Sequence, residues 1–324
     1  MTASLGSPGS PQRPRVVALG GGHGLAASLS ALRRVVDDLT AVVTIADNGG
    51  SSGRLREEFR ALPPGDLRMA LAALCGDDEW GQTWARVLQH RFESTGEMHG
   101  HAVGNLLIVA LWELLGEHVG GLDWVARLLG AHGRVLPMAL TPLDITAQVA
   151  GADPTRPDAV TTVRGQVEVA TTPGKVLRVA LDPDTPRACP EAVAAVRAAD
   201  WVVIGPGSWY SSVIPHLLVP ELRNALQETS ARVLLNLNLV NQPGETEGLS
   251  QAEHLDALVR HAPDLRFDVV LGDRASVLDR DRLGAVAASY GGRLVLEDLS
   301  RSGQVDQHDP AKLTVAYAQL MLAT

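Results

Sequence analysis

"VVALGGGHGLAASLSAL", residues Val16–Leu32, is the stretch of sequence that decides the fold. It begins with a short, β-branched apolar run, Val16–Leu19, and glycines follow at once. From Leu25 to Leu32, apolar residues return at helical spacing. The stretch therefore predicts a strand, a tight turn and a helix.

The turn has the spacing of a phosphate-binding loop. Gly22, Gly24 and Ala27 fit the G-x-G-x-x-A form of the dinucleotide fingerprint, in which glycine lets the backbone approach a pyrophosphate at a helix N-terminus. No lysine follows, which excludes a nucleoside-triphosphate P-loop. A tight turn that binds nothing is the alternative. The ligand-binding candidates in this turn are Gly21, Gly22, His23 and Gly24.

Composition limits the class of protein. With 324 residues, of which 45% are hydrophobic and only 4% aromatic, the chain can bury a core made mostly of Leu, Val and Ala. A net charge of −9 argues against a nucleic-acid partner, and no segment is long and apolar enough to insert into a membrane. Cys75 and Cys189 belong to no disulfide or zinc spacing, so we expect a cytoplasmic protein.

The rest of the chain predicts one α/β domain. Residues 1–14 are rich in Ser, Gly and Pro and lack the apolar core of a signal peptide, so we expect a flexible tail followed by a single domain over 15–320. Helical spacing over about 59–130 predicts a helical insert, and alternation over 134–182, including "VRGQVEVA", predicts a few extra short strands. The expected fold is Rossmann-like, with three α/β/α layers and a mostly parallel sheet.

A second glycine-rich loop follows the second predicted strand, Ala41–Ile45. Asp47 stands at the end of that strand, about 20 residues beyond the glycines, where a dinucleotide fold places the acceptor for a ribose hydroxyl. The composition of "NGGSSG" lets several N–H groups converge on an anion. The candidates here are Asp47, Asn48, Gly49, Gly50, Ser51, Ser52 and, as the cationic partner of a phosphate, Arg54.

Two later loops also leave apolar strands in the same sense, so all four are expected to line one crevice at the carboxyl edge of the sheet. Such a crevice would offer many hydrogen-bond donors and few cations, which suits phosphates and a sugar. The candidates in the later loops, with one residue of the helical insert, are Gly205, Pro206, Gly207, Ser208, Tyr210, Ser211, Ser212, Asn238, Gln242, Glu245, Thr246 and Asn105. Tyr210 could stack on a base, and Asn105 could either contact the ligand or cap the helix that it begins.

Catalytic and metal sites are weakly indicated. His99 and His101 form an H-x-H pair, but no third ligand stands at a suitable spacing, so ordinary hydrogen-bonded histidines are favoured and no metal site is predicted. Asp66 and Glu245 are the best general-base candidates, although neither is paired with a nucleophile or an acid. No catalytic residue is therefore assigned.

The motifs "GGGHGL", "TIADNGGSSGRLR", "PPGDLRMALAAL", "HAVGNLL", "GPGSWYSSVIPHLL" and "NQPGETEG" resemble, in this order, those of the YvcK-type gluconeogenesis factors, relatives of the 2-phospho-L-lactate transferase CofD. The similarity runs over most of 15–309, and "GGSSGRLR" marks the YvcK branch. The resemblance implies a Rossmann-like fold, a cytoplasmic protein and a UDP-sugar ligand, notably UDP-N-acetylglucosamine. It also implies a role in cell-wall growth and cell shape on gluconeogenic carbon sources, through an unidentified protein partner. Self-association stays open.

One departure from the family pattern bears on catalysis. Family members usually carry Asp-Asp before the glycines, whereas here Asp47 is followed by Asn48, and in the transferases that acidic position helps to hold magnesium. Loss of one carboxylate weakens a site for a hard cation. The favoured interpretation is a UDP-sugar sensor that catalyses nothing. The alternatives are a magnesium-dependent CofD-like transferase and an NAD(P)-binding oxidoreductase.

Overall fold

The structure is a computed structural model that describes residues 13–153, 155–156, 158–242, 245–246 and 248–322. Except for its last two residues, the predicted tail lies outside the described residues. The strands are β1 Arg15–Gly20, β2 Asp38–Val43, β3 Arg134–Pro137, β4 Asp144–Ala150, β5 Val160–Arg164, β6 Lys175–Asp182, β7 Trp201–Ile204, β8 Arg232–Asn236, β9 Val269–Asp273, β10 Arg293–Glu297, β11 Ser300–Arg301 and β12 Gln304–His308.

The helices lie between these strands and after the last one. They are α1 Gly22–Leu32, α2 Gly50–Phe59, α3 Gly65–Ala73, α4 Glu79–Gln89, α5 Val103–Leu115, α6 His118–Leu129, α7 Gln166–Thr171, α8 Pro190–Ala198, α9 Ile214–Leu218, α10 Pro220–Glu228, α11 Gln251–His261, α12 Arg280–Ser289 and α13 Pro310–Leu322. A π-helical turn, Trp209–Val213, precedes α9. In the described part of the chain, no helix combines the length and apolarity needed to cross a membrane.

The central sheet has seven parallel strands in the order β10-β9-β8-β7-β1-β2-β3. The chain runs outward from β1 in one direction, returns, and continues from β7 in the other, so the strand order reverses between β1 and β7. This is the doubly wound order, and the predicted α/β fold class is confirmed. In such a sheet, ligands bind beyond the carboxyl ends of the strands at the reversal point.

Burial of β1 explains why it stands at the centre of the sheet. Val16–Leu19 are all buried, and Ala18 pairs with Ala41 of β2 on one side and with Val203 of β7 on the other. A strand buried on both faces carries a continuous apolar run, which is the pattern that the sequence offered. The glycines that follow β1 are thereby fixed at the reversal point.

Two local predictions need correction. The two glycine-rich loops are shorter than expected, because α1 begins at Gly22 and α2 at Gly50, so several of the predicted loop residues form first helical turns. The segment "VRGQVEVA" is not one strand: β5 ends at Arg164 and α7 begins at Gln166. Gly165, with φ of +104°, makes that change of direction.

The extra strands form two small antiparallel sheets. One has the order β5-β4-β6 and is joined to α2 by Asp144, which accepts from Arg56 at 2.6 Å and from Arg164 at 2.7 Å. The other is the hairpin β11-β12. Asp273, at the end of β9, fixes the base of this hairpin, since its Oδ1 accepts the Leu299 N–H at 2.8 Å.

The last helix closes the central core. On α13, the hydroxyl of Tyr317 lies 2.8 Å from the Ser28 Oγ of α1 and accepts from Asn236 Nδ2 of β8 at 3.0 Å. Tyr317 is fully buried, and both neighbours satisfy its hydroxyl. Helix α1, which follows the turn with phosphate-binding spacing, is thus held between the sheet and α13.

Candidate functional site

The N-terminus of α1 points into open space. Its N-cap is Gly21, which offers no side chain to cap the first N–H groups. Gly22 has φ of +59°, and nothing lies within 4 Å of the position that a Cβ would take. Gly24 is the opposite case, because a Cβ there would lie 2.3 Å from the Pro206 carbonyl oxygen. Gly22 therefore leaves room for a ligand, whereas Gly24 lets α1 pack on the next loop.

A cavity of about 750 Å³, here called the main cavity, opens in front of this helix. It is bounded by the first turns of α1, the loop after β7, the loop after β8 and the β11-β12 hairpin. The predicted candidates among its lining residues are Gly21, Gly22, His23, Gly24, Pro206, Gly207, Ser208, Ser212, Asn238 and Gln242. Three of the four predicted loops therefore meet at one place.

Glu245 organises the loop after β7. Its Oε1 accepts from Ser211 Oγ at 2.8 Å and from the Ser208 hydroxyl, and its Oε2 accepts the Tyr210 N–H at 3.0 Å. The hydroxyl of Ser212 differs, because it meets no hydrogen-bond partner in the described ranges while it lines the main cavity. Glu245 is thus occupied in holding the turn, and Ser212 retains its capacity to bind a ligand.

Amide side chains fix the same loop from the β8 side. Asn238 makes two hydrogen bonds with Gly207, accepting its N–H at 2.9 Å and donating to its carbonyl at 2.8 Å. Gln242 accepts the Trp209 N–H at 3.3 Å, and its own N–H donates to Thr246 Oγ1 at 2.9 Å. Thr246 therefore supports the loop from behind and does not line the main cavity.

A second cavity of about 470 Å³, the side pocket, shares Gly22, Ser208, Ser212 and Gln242 with the main cavity. Its outer wall is α7, the helix that the sequence analysis interpreted as a strand. Asp66 lines its floor, and a Cβ on Gly21 would lie 2.4 Å from Asp66 Oδ2. Helix α7 thus completes a wall of the site.

The loop after β2 does not join the main cavity, which corrects the expectation of one crevice. Asp47, Gly49, Gly50, Ser51 and Ser52 line a separate space of about 260 Å³, here called the recess. The other lining residues are Gly65, Asp66, Arg68, Met69 and Arg91. Asp47 is therefore not positioned as a ribose acceptor in the main cavity.

Asp66 stands where the side pocket meets the recess. Burial, together with the nearby Asp47 carboxylate, raises its pKa to about 7, against the smaller opposing effects of the Gly22 N–H and Arg68. A carboxyl group with this pKa exchanges protons near neutrality. Of the two general-base candidates, Asp66 accepts one backbone N–H, that of Gly22, whereas Glu245 accepts three hydrogen bonds from its loop.

Four of the predicted candidates do not line the main cavity and have partners within the protein. Tyr210 is 1% exposed and packs beneath its turn, so it cannot stack on a base. Arg54 donates to the carbonyl oxygens of Glu97 at 2.9 Å and His99 at 2.7 Å, and so holds a surface loop. Asn48 donates to Glu168 Oε2 at 2.7 Å. Asn105 lies inside α5, where it neither caps the helix nor reaches a cavity.

His101 and Asn105 belong to a buried network around Ser51, whereas His99 is exposed and its Nδ1 accepts the Ser94 N–H at 3.3 Å. Ser51 Oγ lies 3.1 Å from His101 Nδ1, and it accepts from Asn105 Nδ2 at 3.0 Å. Asn105 in turn accepts from Arg68 Nε at 2.9 Å. Over the described ranges, no group of three or more His, Cys, Asp or Glu side chains has the arrangement of a metal site.

Sequence reasoning missed the hairpin. Arg301, Asp306, Gln307 and His308 all line the main cavity from β11-β12. Arg301 is the cation among the residues that line this cavity, and its guanidinium lies 3.5 Å from Gln307 Oε1. Burial lowers the pKa of His308 to about 4, so it is neutral at physiological pH. No glycine or hydroxyl motif marks this segment, and only the fold brings it across the cavity.

Comparison with known proteins agrees with this architecture. A model of the 2-phospho-L-lactate transferase CofD family matches residues 16–300. The chain is 51% identical to a Mycobacterium tuberculosis protein named "Putative gluconeogenesis factor", over 92% of this chain and 87% of that protein. It is 36% identical to a protein of Halalkalibacterium halodurans named "Gluconeogenesis factor", over 77% of this chain and 74% of that one. A crystal structure of a UPF0052 family protein from Bacillus halodurans superposes with a TM-score of 0.84 at 31% identity, covering 95% of this chain and 99% of that one.

Proposed function

This chain belongs to the CofD family, and on that premise we propose that it binds a nucleotide sugar, UDP-N-acetylglucosamine or a related UDP-sugar, without turning it over. In this proposal the bound sugar signals nutrient status to an unidentified protein partner in cell-wall synthesis, in the cytoplasm. The role in gluconeogenic growth follows from the names of the relatives.

The observation that carries the proposal is the open N-terminus of α1 at the reversal point of the sheet. The Gly22 N–H faces the Asp66 carboxyl group, while the N–H groups that follow in the first turn and the positive end of the helix dipole favour a diphosphate there. The open space at Gly22 gives the phosphates access, and Ser212 Oγ adds a donor on the facing side. At about 750 Å³ the main cavity has the volume of a site for a small organic ligand.

The hairpin would supply the charge that the diphosphate needs. Arg301 lines the main cavity opposite α1, so its guanidinium can approach one phosphate while the helix N-terminus holds the other. The remaining lining groups are mainly hydroxyls, amides and backbone, which suit the hydroxyls of a ribose and a sugar.

Two side chains favour binding without catalysis. The Glu245 carboxylate already accepts three hydrogen bonds from the loop after β7, so it is poorly placed to act as a general base. Asn48 stands where a second carboxylate would help to hold a cation, and its amide is engaged with Glu168 and with the Val167 N–H at 3.1 Å. Both side chains are engaged in hydrogen bonds that stabilise the fold, which leaves them poorly placed for catalysis.

Calorimetry tests the proposal. Wild-type protein with a chelator present should bind UDP-N-acetylglucosamine, and Gly22→Asn, which tolerates the left-handed conformation but fills the open space, should abolish binding. Ser212→Ala should weaken binding about fivefold to tenfold, as the loss of one hydrogen bond does, whereas Ser211→Ala should lower stability and leave affinity unchanged. Equal affinities for NAD or GDP compounds would reject the UDP-sugar assignment.

The transferase is the second candidate, because Asp47 and Asp66 stand together in the recess. Two carboxylates with phosphate oxygens are a ligand set that magnesium uses, so these residues fit the ion that the family resemblance implies. Magnesium bound there would neutralise charge on a transferred phosphate-linked group. Magnesium-dependent release of UDP or formation of a phosphosugar product during long incubation would favour this candidate over the sensor.

A further inference from the structure

The recess contains a buried arginine whose terminal nitrogens are unused. Arg68 is 4% exposed, and its Nε donates to Asn105 Oδ1 at 2.9 Å. Its two terminal nitrogens contact no acceptor in the described part of the chain, although the side chain lines the recess. The charges of Asp66 and Asp47 favour this guanidinium, but neither carboxylate accepts a hydrogen bond from it in the described part of the chain, so its planar fork can still bind a carboxylate or a phosphate.

A second arginine faces the same space. Arg91 donates through one terminal nitrogen to the Gly100 carbonyl at 2.8 Å, and it also lines the recess. The guanidinium groups of Arg68 and Arg91 are close enough for their positive charges to oppose each other. Two neighbouring guanidinium groups repel each other unless an anion lies between them.

The N-terminus of α2 offers further donors to the recess. Its N-cap is Gly49, without a capping side chain, and Gly50 has φ of +50° with open space at its Cβ position. Ser52 Oγ finds no hydrogen-bond partner in the structure as described, while the neighbouring Ser51 is fully engaged. Backbone N–H groups, one hydroxyl and two guanidinium groups therefore converge on one small volume.

The carboxyl groups of the recess limit how much negative charge it accepts. Asp47 and Asp66 lie in the same space as the two arginines. Both guanidinium groups and both carboxyl groups line this space, so a group with a single negative charge is favoured there over a dianion.

From these contacts we infer that the recess is a separate oxyanion site, in which Arg68, Arg91, Ser52 and the N-terminus of α2 bind one carboxylate or monoanionic phosphate group of a second ligand. The site is distinct from the main cavity, with which it shares only Met69 among the lining residues. This inference does not rest on the nucleotide-sugar proposal, since it requires no ligand in front of α1.

Titration with small anions tests the inference. Sodium phosphate and sodium acetate serve as separate probes at pH 6, at constant ionic strength and with a chelator present, and both thermal unfolding and calorimetry are measured. One of the two anions should raise the melting temperature of the wild-type protein, and the preferred anion identifies the phosphate or carboxylate source. In Arg91→Gln, which changes an exposed side chain, its dissociation constant should rise at least about tenfold.

Matched variants locate the effect. Ser52→Ala should weaken the anion about fivefold, and Arg68→Lys, which keeps the charge but loses the planar fork, should weaken it further. Arg86→Gln on α4 and Gly22→Asn at the main cavity should leave the dissociation constant unchanged. The inference is wrong if Arg91→Gln binds the anion as tightly as the wild type, if Gly22→Asn abolishes binding, or if binding requires magnesium.

Discussion

The turns after β1 and β2 are built alike and surrounded differently. Each helix begins at a glycine with positive φ, Gly22 or Gly50, with open space beside it, and each has a glycine N-cap without a capping side chain. In front of α1 stand hydroxyls, amides and one hairpin arginine. In front of α2 stand two arginines and two aspartates.

The comparison shows that a glycine-rich turn leaves room for a ligand, whereas residues from other segments determine which ligand fits. Both turns present N–H groups to an anion. Asp47 belongs to the second turn itself, but the other charged groups come from α3, from the segment after α4 and from the β11-β12 hairpin. The first turn suits an extended polar ligand, and the second suits a small charged group.

Asp66 lies between the two turns, and its replacement should have the largest effect on stability. Because its pKa is raised from an ordinary value of 3.8 to about 7, the folded state holds a proton that the unfolded state has lost between about pH 4 and pH 7. The free energy of unfolding therefore falls as the pH rises through that range. Asp66→Asn should remove this dependence, which amounts to at most about 4 kcal/mol.

Urea unfolding at pH 4, 6 and 8 measures that effect. Asp264→Asn, at an exposed position, is the control and should follow the wild-type pH dependence. An unchanged slope in Asp66→Asn would mean that the two turns do not share a titrating carboxyl group.

The close packing of the first turn gives the next effect. A Cβ at Gly24 would lie 2.3 Å from the Pro206 carbonyl oxygen and 2.7 Å from Gly207 Cα, both of them backbone atoms. Gly24→Ala should therefore lower the free energy of unfolding by about 3 kcal/mol, at the upper end of overpacking costs. Gly22→Ala meets no atom and should cost only about 1 kcal/mol for its left-handed backbone. If thermal unfolding showed the same loss of free energy for both variants, the assignment of Gly22 to ligand access and of Gly24 to packing would be contradicted.

The smallest effect separates the adjacent serines of the second turn. Ser51→Ala leaves Asn105 Nδ2 and the Ala102 N–H without their acceptor, and should cost about 2 kcal/mol of stability. Ser52→Ala removes a hydroxyl that faces the recess, and should change stability by less than about 0.5 kcal/mol. Chemical denaturation of both variants, without added anions, makes the comparison, and a larger loss in Ser52→Ala would reverse their roles.

The architecture was predictable where a pattern is local. The apolar run of β1 and the spacing of α1 depend on neighbouring residues, and both elements formed as expected. The structure places Asn48, Arg54 and Tyr210 away from the main cavity, because a side chain's partner is set by the fold. Nothing in the sequence around these three residues indicates their partners, which are Glu168, the carbonyl oxygen of His99 and the buried core beneath the turn, respectively. Arg68 lies in the motif "PPGDLRMALAAL" and Arg301 in none, but in both cases only packing reveals that the side chain faces a cavity.

The contact between Ser28 and Tyr317 has a consequence for how the protein is made. The two hydroxyls are separated by 289 residues, so the helix behind the first glycine turn cannot complete its core until α13 has left the ribosome. At about 5 to 20 residues per second, that interval is roughly 15 to 60 seconds. During this time the first βα unit lacks the cover that α13 provides in the folded protein.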